Sequence, residues 1–248
     1  ADIDKHPRLF AKSDVNYVYD IEGNKYLDTF GSLLTTVCGH NNMEIIDAIY
    51  EQLKLIDFFP NFGDHYCIPM IELSKKLEKI VPQGLTSYFY VNSGSEANES
   101  AIKIARSYHL QRDDGKRYKV ISRKGSYHGT TMATVSATGL SYFTDPYEPM
   151  IGDYYIKAPA ARCEHCMLGK KKNNCAMECY DELERVILEN DPSTISCVIM
   201  DPIPGSNTAY PLPPEGYLQK VRNLCDEHGI LLIFDEIQTG IGKSGCWF

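Results

Sequence analysis

The strongest constraint on the fold is an alternation, from residue 87 onward, between short strand-like apolar runs and longer runs with helical periodicity. The patterns predict strands over 87–91, 118–122, 195–200 and 230–234, and helices over 96–110, 180–189 and 215–228. Strands and helices that alternate in this way favour a largely parallel sheet covered by helices, which is an α/β fold. Because ligands of such sheets bind at the carboxyl ends of the strands, we expect functional residues there.

The part of the chain that precedes this alternation has a different pattern. It predicts a hairpin over 17–28 that turns at Glu22-Gly23-Asn24, followed by helices over 43–55 and 69–80. The sequence shows no internal repeat and no low-complexity linker. We therefore place one boundary, near residue 60, between an N-terminal segment (1–60) and a larger ligand-binding domain (61–248).

Charge and composition exclude several classes of protein. The formal net charge is −8, whereas nucleic-acid binding needs a basic face. No apolar run is long enough to span a bilayer, and no secretory signal opens the sequence. Nine cysteines without such a signal indicate a reducing compartment, so we expect a cytoplasmic protein. From the charge and the apolar runs we expect that it binds neither nucleic acid nor membrane.

A polar turn before the predicted helix over 96–110 has the features of an anion site. Ser93 and Glu96 have capping-box spacing, and Gly94 permits close backbone approach. The helix N-terminus offers N–H groups and a positive dipole end that suit a phosphate, although an ordinary serine cap fits the same residues. The face of this helix that we expect to be buried consists of Ala97, Ala101, Ile104 and Ala105.

A second candidate site is the acidic end of the predicted strand over 230–234. Asp235 follows this apolar run directly, at the edge of the sheet where ligands bind. A carboxylate there would pair with a cationic ring nitrogen and keep it protonated, so that the ring acts as an electron sink. A helix cap or a solvated strand end is the alternative interpretation of the same residue.

Several motifs, taken together in order and spacing, resemble the class III aminotransferases of pyridoxal-phosphate fold type I, the ω-amino acid group that includes taurine– and ω-amino-acid–pyruvate aminotransferases. The resemblance covers nearly the whole chain. The matching segments are the hairpin from Tyr19 to Asp28, Gly39-His40-Asn41-Asn42, Ser93-Gly94-Ser95-Glu96-Ala97-Asn98-Glu99, Gly125-Ser126-Tyr127-His128-Gly129 and Asp235-Glu236-Ile237-Gln238-Thr239-Gly240.

The resemblance implies an architecture and a cofactor. It implies a mostly parallel sheet of the seven-stranded type, flanked by helices, in a large domain that binds pyridoxal 5'-phosphate. Residues 61–248 would form this domain, incomplete at its C-terminal end. Residues 1–60 would be the N-terminal β/α segment of the small domain, whose C-terminal part is absent. The resemblance also implies a homodimer.

The resemblance further implies a set of cofactor-binding residues. They are Ser93, Gly94, Ser95, Tyr127, His128, Asp201, Asp235 and Gln238. Gly94 and Ser95 would donate backbone N–H groups to the phosphate, and Tyr127 would stack on the pyridine ring. Asp235 would pair with the ring nitrogen, and Gln238 would donate to the phenolic oxygen. For His128, a packing role and a direct role are both open.

Two departures from the family pattern lie between residues 201 and 206, and the second of them concerns the acceptor substrate. The family usually has Glu-Pro-x-Gln-Gly where this chain has Asp201-Pro202-Ile203-Pro204-Gly205, so a shorter acid and a rigid ring replace glutamate and an amide. Ser206 stands where members that use glutamate tend to carry an acid. This substitution argues for pyruvate and against 2-oxoglutarate as the acceptor.

The Schiff-base lysine of the family is the largest departure. In relatives it follows the Asp-Glu pair by some tens of residues, whereas Lys243 is the single lysine after Asp235 in this sequence. Lys243 lies in Gly242-Lys243-Ser244-Gly245, which we interpret as a structural loop. We therefore expect the chain as given to be inactive on its own.

Four cysteines are clustered in a separate segment. Cys163 and Cys166 form one pair, and Cys175 and Cys179 form another. Such a set could hold tetrahedral zinc, but the gap between the pairs is shorter than in common zinc ribbons. Reduced cysteines in a surface loop are the alternative, since some relatives carry a cysteine-rich insertion here.

The function that the sequence favours is transamination from an ω-amino compound to an oxo acid, with pyruvate as the expected acceptor. Other chemistry of the same fold type stays open, namely that of an aminomutase, a racemase or a decarboxylase. A non-catalytic cofactor- or zinc-binding fragment is the third hypothesis, because the family's lysine is missing.

Overall fold

The structure is a computed structural model that describes residues 8–171 and 174–248. The chain divides into two compact units, Ala1–Lys79 and Ile80–Phe248. This division comes after the third helix, later than the boundary expected near residue 60. The assignment of 1–60 and 61–248 to the small and large domains stays a prediction.

The first unit contains a small antiparallel sheet and three helices. The strands are β1 (Phe10–Asp14), β2 (Tyr17–Asp20) and β3 (Lys25–Leu27), and the helices are α1 (Gly31–Leu34), α2 (Met43–Leu55) and α3 (Ile68–Leu77). The predicted hairpin turns because the Asp20 carboxylate accepts the N–H groups of Glu22 and Asn24, at 3.0 and 2.9 Å. The predicted hairpin over 17–28 is confirmed, and α2 confirms the helix that was predicted over 43–55.

The second unit is built on a parallel sheet of four strands in the order β5-β4-β6-β7. The strands are β4 (Lys119–Arg123), β5 (Tyr155–Ala158), β6 (Ile195–Met200) and β7 (Leu231–Phe234). The helices are α4 (Gly94–Leu110), α5 (Met132–Ala137), α6 (Ser141–Thr144), α7 (Glu178–Glu189) and α8 (Tyr217–Glu227). The expected α/β class with a parallel sheet is confirmed.

Both faces of the sheet are covered, as the apolar strand runs predicted. Every residue of β6 is buried, and from Cys197 to Met200 successive residues belong to different clusters. Val198 and Met200 pack in the cluster that contains α7 and α8 residues, whereas Cys197 and Ile199 pack in the one with α4 and α5 residues. Alternation along one buried strand therefore produces a three-layer domain.

One prediction about local structure was wrong, and several elements were missed. Residues 87–91 are not a strand, since a strand must be hydrogen-bonded into a sheet and this segment belongs to neither of the two described sheets. Helix α5, in the Ser/Thr/Gly-rich segment 125–139, and strand β5 are among the elements that the sequence patterns did not predict. Within the described ranges, no helix combines the length and the apolar character that crossing a membrane requires.

A half-buried lysine in β5 gives the domain a pH dependence that can be measured. Lys157 donates from Nζ to the Ser122 hydroxyl at 2.9 Å and to the Ser136 carbonyl, and neither partner is charged. Burial lowers the pKa of Lys157 to about 8. The unfolded chain therefore binds more protons than the folded chain between about pH 8 and the ordinary lysine value of 10.5.

We expect stability to rise with pH across this window and Lys157→Met to remove that rise. The sign follows because folding disfavours the charged amine, and the slope contributed by one group is at most about 1.4 kcal/mol per pH unit. Urea unfolding of both proteins at pH 7.5, 9 and 10.5 measures the effect. A wild-type-minus-variant difference that stays constant with pH would show that the amine is not destabilised by burial.

Candidate cofactor site

Two buried aspartates lie at the carboxyl edge of the sheet. Asp201 follows β6 and Asp235 follows β7, and the Asp235 N–H donates to the Met200 carbonyl at 2.8 Å. Their exposed fractions are 7% and 6%. Because buried carboxylates are costly unless they are paired or hydrogen-bonded, the partners of each one indicate what it does.

The Asp235 carboxylate is held by two side chains, those of Asn98 and His128. Its Oδ2 accepts from Asn98 Nδ2 at 2.8 Å and lies 2.9 Å from His128 Nδ1, while Oδ1 accepts the Ile237 N–H at 3.2 Å. An ionised carboxylate can only accept, so Nδ1 of His128 carries the proton in this pair. The other ring nitrogen, Nε2, is buried and has no hydrogen-bond partner among the described residues.

Asn98 is the site residue that the sequence analysis missed. Its Nδ2 also donates to the His128 carbonyl at 2.9 Å. The buried face of α4 consists of Asn98, Ile102, Ala105 and His109. The predicted face was therefore largely wrong, because Ala97 and Ile104 are exposed and only Ala105 is shared. The signal available in the sequence is that two polar residues, Asn98 and His109, are eleven positions apart and therefore share one stripe of the helix.

The N-terminus of α4 has the predicted capped turn. The Ser93 hydroxyl accepts the Glu96 N–H at 3.2 Å, and the Glu96 carboxylate accepts the Asn92 N–H at 2.7 Å. The N–H groups of Gly94 and Ser95, at the first two helical positions, have no acceptor within the helix. Asn98 lies four residues after Gly94, about 6 Å along the axis. The predicted phosphate-binding end of α4 and Asn98, the partner of Asp235, therefore belong to one helix.

The segment after β4 brings two more predicted residues to this edge. The Thr130 N–H donates to the Ser95 hydroxyl at 3.1 Å, which ties the segment to the start of α4. His128 is buried within it, and the half-buried Tyr127 ring lies 5.0 Å from the Phe143 ring. The structure thus brings Ser95, His128 and Asp235 together at this edge of the sheet, and their contact with the cofactor stays a prediction.

Asp201 has structural partners. Its Oδ1 accepts from Arg123 Nη2 at 3.0 Å and from the Ser126 hydroxyl at 2.8 Å, and Arg123 also donates to the Asp201 carbonyl. Arg123 is 1% exposed, so the pair neutralises a buried guanidinium. These contacts fix the start of the segment that carries Tyr127 and His128. A direct contact of Asp201 with the cofactor stays a prediction.

The cysteine cluster is a separate feature. Cys163, Cys166, Cys175 and Cys179 line one cavity of about 270 Å³. Burial raises the pKa of the Cys179 thiol to about 11, and Cys175 donates its S–H to the Glu178 carboxylate at 3.0 Å. Cys179 therefore holds its proton at neutral pH, whereas zinc binds thiolates.

Metal binding by these cysteines therefore gains no support from the structure. In residues 8–171 and 174–248, no group of three or more histidine, cysteine, aspartate or glutamate side chains is arranged to hold a metal ion. Zinc at this cluster stays an untested hypothesis. Native mass spectrometry of the protein decides it, since a bound zinc ion adds a measurable mass.

The fold and this site together define an α/β protein that can bind a phosphorylated, nitrogen-containing aromatic cofactor at the carboxyl edge of its sheet. The helix N-terminus suits the phosphate, and the buried Asp235 suits a protonated ring nitrogen. The model of the class-III aminotransferase family matches residues 2–248, so the chain belongs to that family. Class-III aminotransferases depend on pyridoxal 5'-phosphate, and the residues at this edge fit that cofactor.

Named relatives agree with this assignment. The chain is 36% identical to the adenosylmethionine-8-amino-7-oxononanoate aminotransferase of Nitratidesulfovibrio vulgaris, over 98% of this chain and 44% of the relative. It is 32% identical to the hypotaurine/taurine–pyruvate aminotransferase of Paracoccus denitrificans, over 98% of this chain and 51% of the relative. The chain thus spans about half the length of the curated relatives it matches.

Solved structures give the same result for the fold. The omega transaminase from Pseudomonas jessenii, solved in complex with PMP, superposes with a TM-score of 0.93 at 29% identity, covering 99% of this chain and 54% of that one. An (S)-enantioselective omega-transaminase from Thermomicrobium roseum gives 0.92 at 32% identity, covering 99% and 54%. The predicted family and fold type are confirmed.

A glycine next to Gln238 gives a test of that residue's predicted role. A Cβ added at Gly205 would lie 2.2 Å from Gln238 Oε1 and 2.5 Å from Nε2, so Gly205→Ala must displace the amide. If Gln238 donates to the phenolic oxygen of the cofactor, we expect cofactor affinity to fall by about 3- to 10-fold, the equivalent of one hydrogen bond. Fluorescence titration of the full-length protein with pyridoxal 5'-phosphate measures this change.

The control for this prediction is a double-mutant cycle. Gln238→Ala should cause a similar loss, and adding Gly205→Ala to it should change affinity little further, because both substitutions remove the same contact. Full additivity of the two effects would show that Gly205 acts independently of Gln238.

Proposed function

We propose that the full-length protein is a pyridoxal-phosphate-dependent aminotransferase that moves an amino group from an ω-amino compound to an oxo acid, with pyruvate as the acceptor. The observation that carries the proposal is the buried Asp235 carboxylate, which Asn98 joins to the helix whose N-terminus would hold the phosphate. A buried acid suited to the ring, joined by a hydrogen bond to the helix whose first N–H groups suit the phosphate, supports the proposal.

Five of the eight predicted cofactor-binding residues have a direct role in this proposal. The N–H groups of Gly94 and Ser95 bind the phosphate, and Asp235 holds the proton on the ring nitrogen. Tyr127 contacts the ring face, and Gln238 donates to its phenolic oxygen. The bound cofactor supplies an electron sink that stabilises negative charge at the substrate carbon. We assign no proton transfer to Lys243, and by resemblance this role belongs to a lysine later in the full-length sequence.

Two observations support pyruvate as the acceptor. Ser206 occupies the position where the sequence analysis expects an acid in members that use glutamate. Two relatives, from Paracoccus denitrificans and Rhodobacter capsulatus, are named as taurine–pyruvate enzymes, the first also for hypotaurine.

The experiment is an acceptor comparison with the full-length protein. Taurine, hypotaurine and β-alanine are supplied as donors, with either pyruvate or 2-oxoglutarate as acceptor. We expect alanine to form from pyruvate at least ten times faster than glutamate forms from 2-oxoglutarate. Glutamate as the faster product would overturn the pyruvate assignment. Consumption of the donor without either amino acid would favour the other reactions of this fold type.

A second donor is favoured by one specific observation. Three of the relatives, from Nitratidesulfovibrio vulgaris, Methanocaldococcus jannaschii and Geobacter sulfurreducens, are named adenosylmethionine-8-amino-7-oxononanoate aminotransferases, and the identity reaches 36%. The same assay with S-adenosylmethionine as donor and 8-amino-7-oxononanoate as acceptor separates the two candidates. If only this pair is turned over, S-adenosylmethionine takes the place of the ω-amino compound as the proposed donor.

Assembly and location are parts of the same proposal. By resemblance we propose a homodimer, which size-exclusion chromatography with light scattering of the full-length protein tests directly. All nine cysteines are free in the structure, which supports a cytoplasmic location, since reducing compartments keep thiols unpaired. Cell fractionation tests the location.

A further inference from the structure

We propose that Asn98 is a positioning residue that holds the Asp235 carboxylate in register with the phosphate-binding end of α4. This inference rests on the proposed function, because it assigns a role toward the same cofactor. Asn98 would not touch the reacting atoms. It would act through Asp235, by fixing which carboxylate oxygen faces the ring nitrogen.

The contacts of Asn98 join three parts of the domain. One amide nitrogen, on α4, donates to Asp235 Oδ2 at 2.8 Å after β7 and to the His128 carbonyl at 2.9 Å after β4. Both N–H groups of the amide are therefore used. The residue is 6% exposed, so these bonds are made out of water, where hydrogen bonds to a charged group contribute more.

The direction of these bonds distinguishes the two carboxylate oxygens. Asn98 Nδ2 and His128 Nδ1 both converge on Oδ2. Within the described residues, Oδ1 accepts only the Ile237 N–H, at 3.2 Å. A carboxylate oxygen has two lone-pair sites, so Oδ1 keeps one for a further donor. We infer that Oδ1 is the oxygen presented to the protonated ring nitrogen.

The same helix provides a matched control. His109 is also a buried polar residue of α4, 3% exposed, and its Nε2 is hydrogen-bonded to the Ser196 carbonyl of β6 at 2.9 Å. It lies eleven residues from Asn98, about 16 Å along the axis. His109→Leu therefore removes a buried hydrogen bond between α4 and the sheet without touching the cofactor site.

The experiment compares Asn98→Leu, Asn98→Ala and His109→Leu in the full-length protein. Pyridoxal 5'-phosphate affinity is measured by fluorescence titration, the pH midpoint of the bound-cofactor absorbance by spectrophotometry, and apo-protein stability by urea unfolding. We expect both Asn98 variants to bind the cofactor about 10- to 100-fold more weakly, as loss of a charge-assisted hydrogen bond implies, and to move the absorbance midpoint. His109→Leu should lose stability while its affinity and midpoint change by less than about twofold and 0.2 pH units.

The result that overturns the inference is an Asn98 variant that loses stability while its affinity and pH midpoint match those of His109→Leu. Asp235→Asn is included to distinguish a failure of the positioning role of Asn98 from a failure of the proposed cofactor site. If Asp235→Asn weakens cofactor binding and Asn98→Leu does not, only the positioning role is wrong. If neither substitution weakens it, the proposed cofactor site itself is wrong.

Discussion

Replacing Asp235 with asparagine should reduce aminotransferase activity of the full-length protein by two to three orders of magnitude. The substitution keeps the shape of the side chain and removes its charge. A protonated ring nitrogen would then lie in a buried site without its counter-charge, at a cost of about 3–4 kcal/mol, which corresponds to a factor of about 10² to 10³. Steady-state kinetics with saturating cofactor, together with fluorescence titration of the cofactor, measures the loss.

Folding should survive this change, which makes the prediction specific. The Asn98 and His128 donors can still reach an amide oxygen at the position of Asp235 Oδ2, so these two contacts have a neutral replacement and only the Ile237 N–H loses its acceptor. Asp235→Glu is the matched variant, because it retains the charge with a longer reach and should recover part of the cofactor affinity. An Asp235→Asn protein with wild-type activity and cofactor affinity would remove the central element of the proposed site.

The main elements of the α/β unit could be predicted because local pattern and burial agree. Strand β6 was predicted at its observed bounds, since a run of six mostly apolar residues suits a parallel strand that is covered on both faces. Segment 87–91 shows the limit of this reasoning. An apolar pattern predicts only that a segment is suited to pairing, whereas a strand exists only where a neighbour supplies the hydrogen bonds.

The candidate site could be predicted where a motif reports a role, and not where a role depends on long-range contact. Asp235 and the Ser93 turn were located from their positions at a strand end and a helix start. Asn98 was missed because its partner is 137 positions away in sequence, and helical periodicity treats a polar residue as solvent-facing. The buried Arg123–Asp201 pair is similar, since nothing local predicts that a strand arginine is 1% exposed.

The largest expected loss of stability follows from Gly139, which no pattern in the sequence distinguishes. A Cβ at this position would lie 2.1 Å from the Arg123 carbonyl oxygen and 2.8 Å from the Lys124 Cα. These are backbone atoms, so no side-chain rotation relieves the collision. Gly139 also donates to the Ser126 carbonyl and accepts from the Gly125 N–H, each at 2.8 Å. These two bonds close the segment that carries Tyr127 and His128.

We therefore expect Gly139→Ala to lower the free energy of unfolding by about 2–5 kcal/mol, from overpacking and the loss of one or two backbone hydrogen bonds. Urea unfolding measures this value. Gly216→Ala is the control, because Gly216 has a φ of +78° and no atom within 4 Å of the added Cβ, so only backbone strain of about 1–2 kcal/mol applies. If cofactor affinity is measured on the same proteins, only Gly139→Ala should weaken it, since displacement of Arg123 and Ser126 moves His128, the partner of Asp235. Equal losses of stability in the two variants would mean that the close approach at Gly139 does not organise the site.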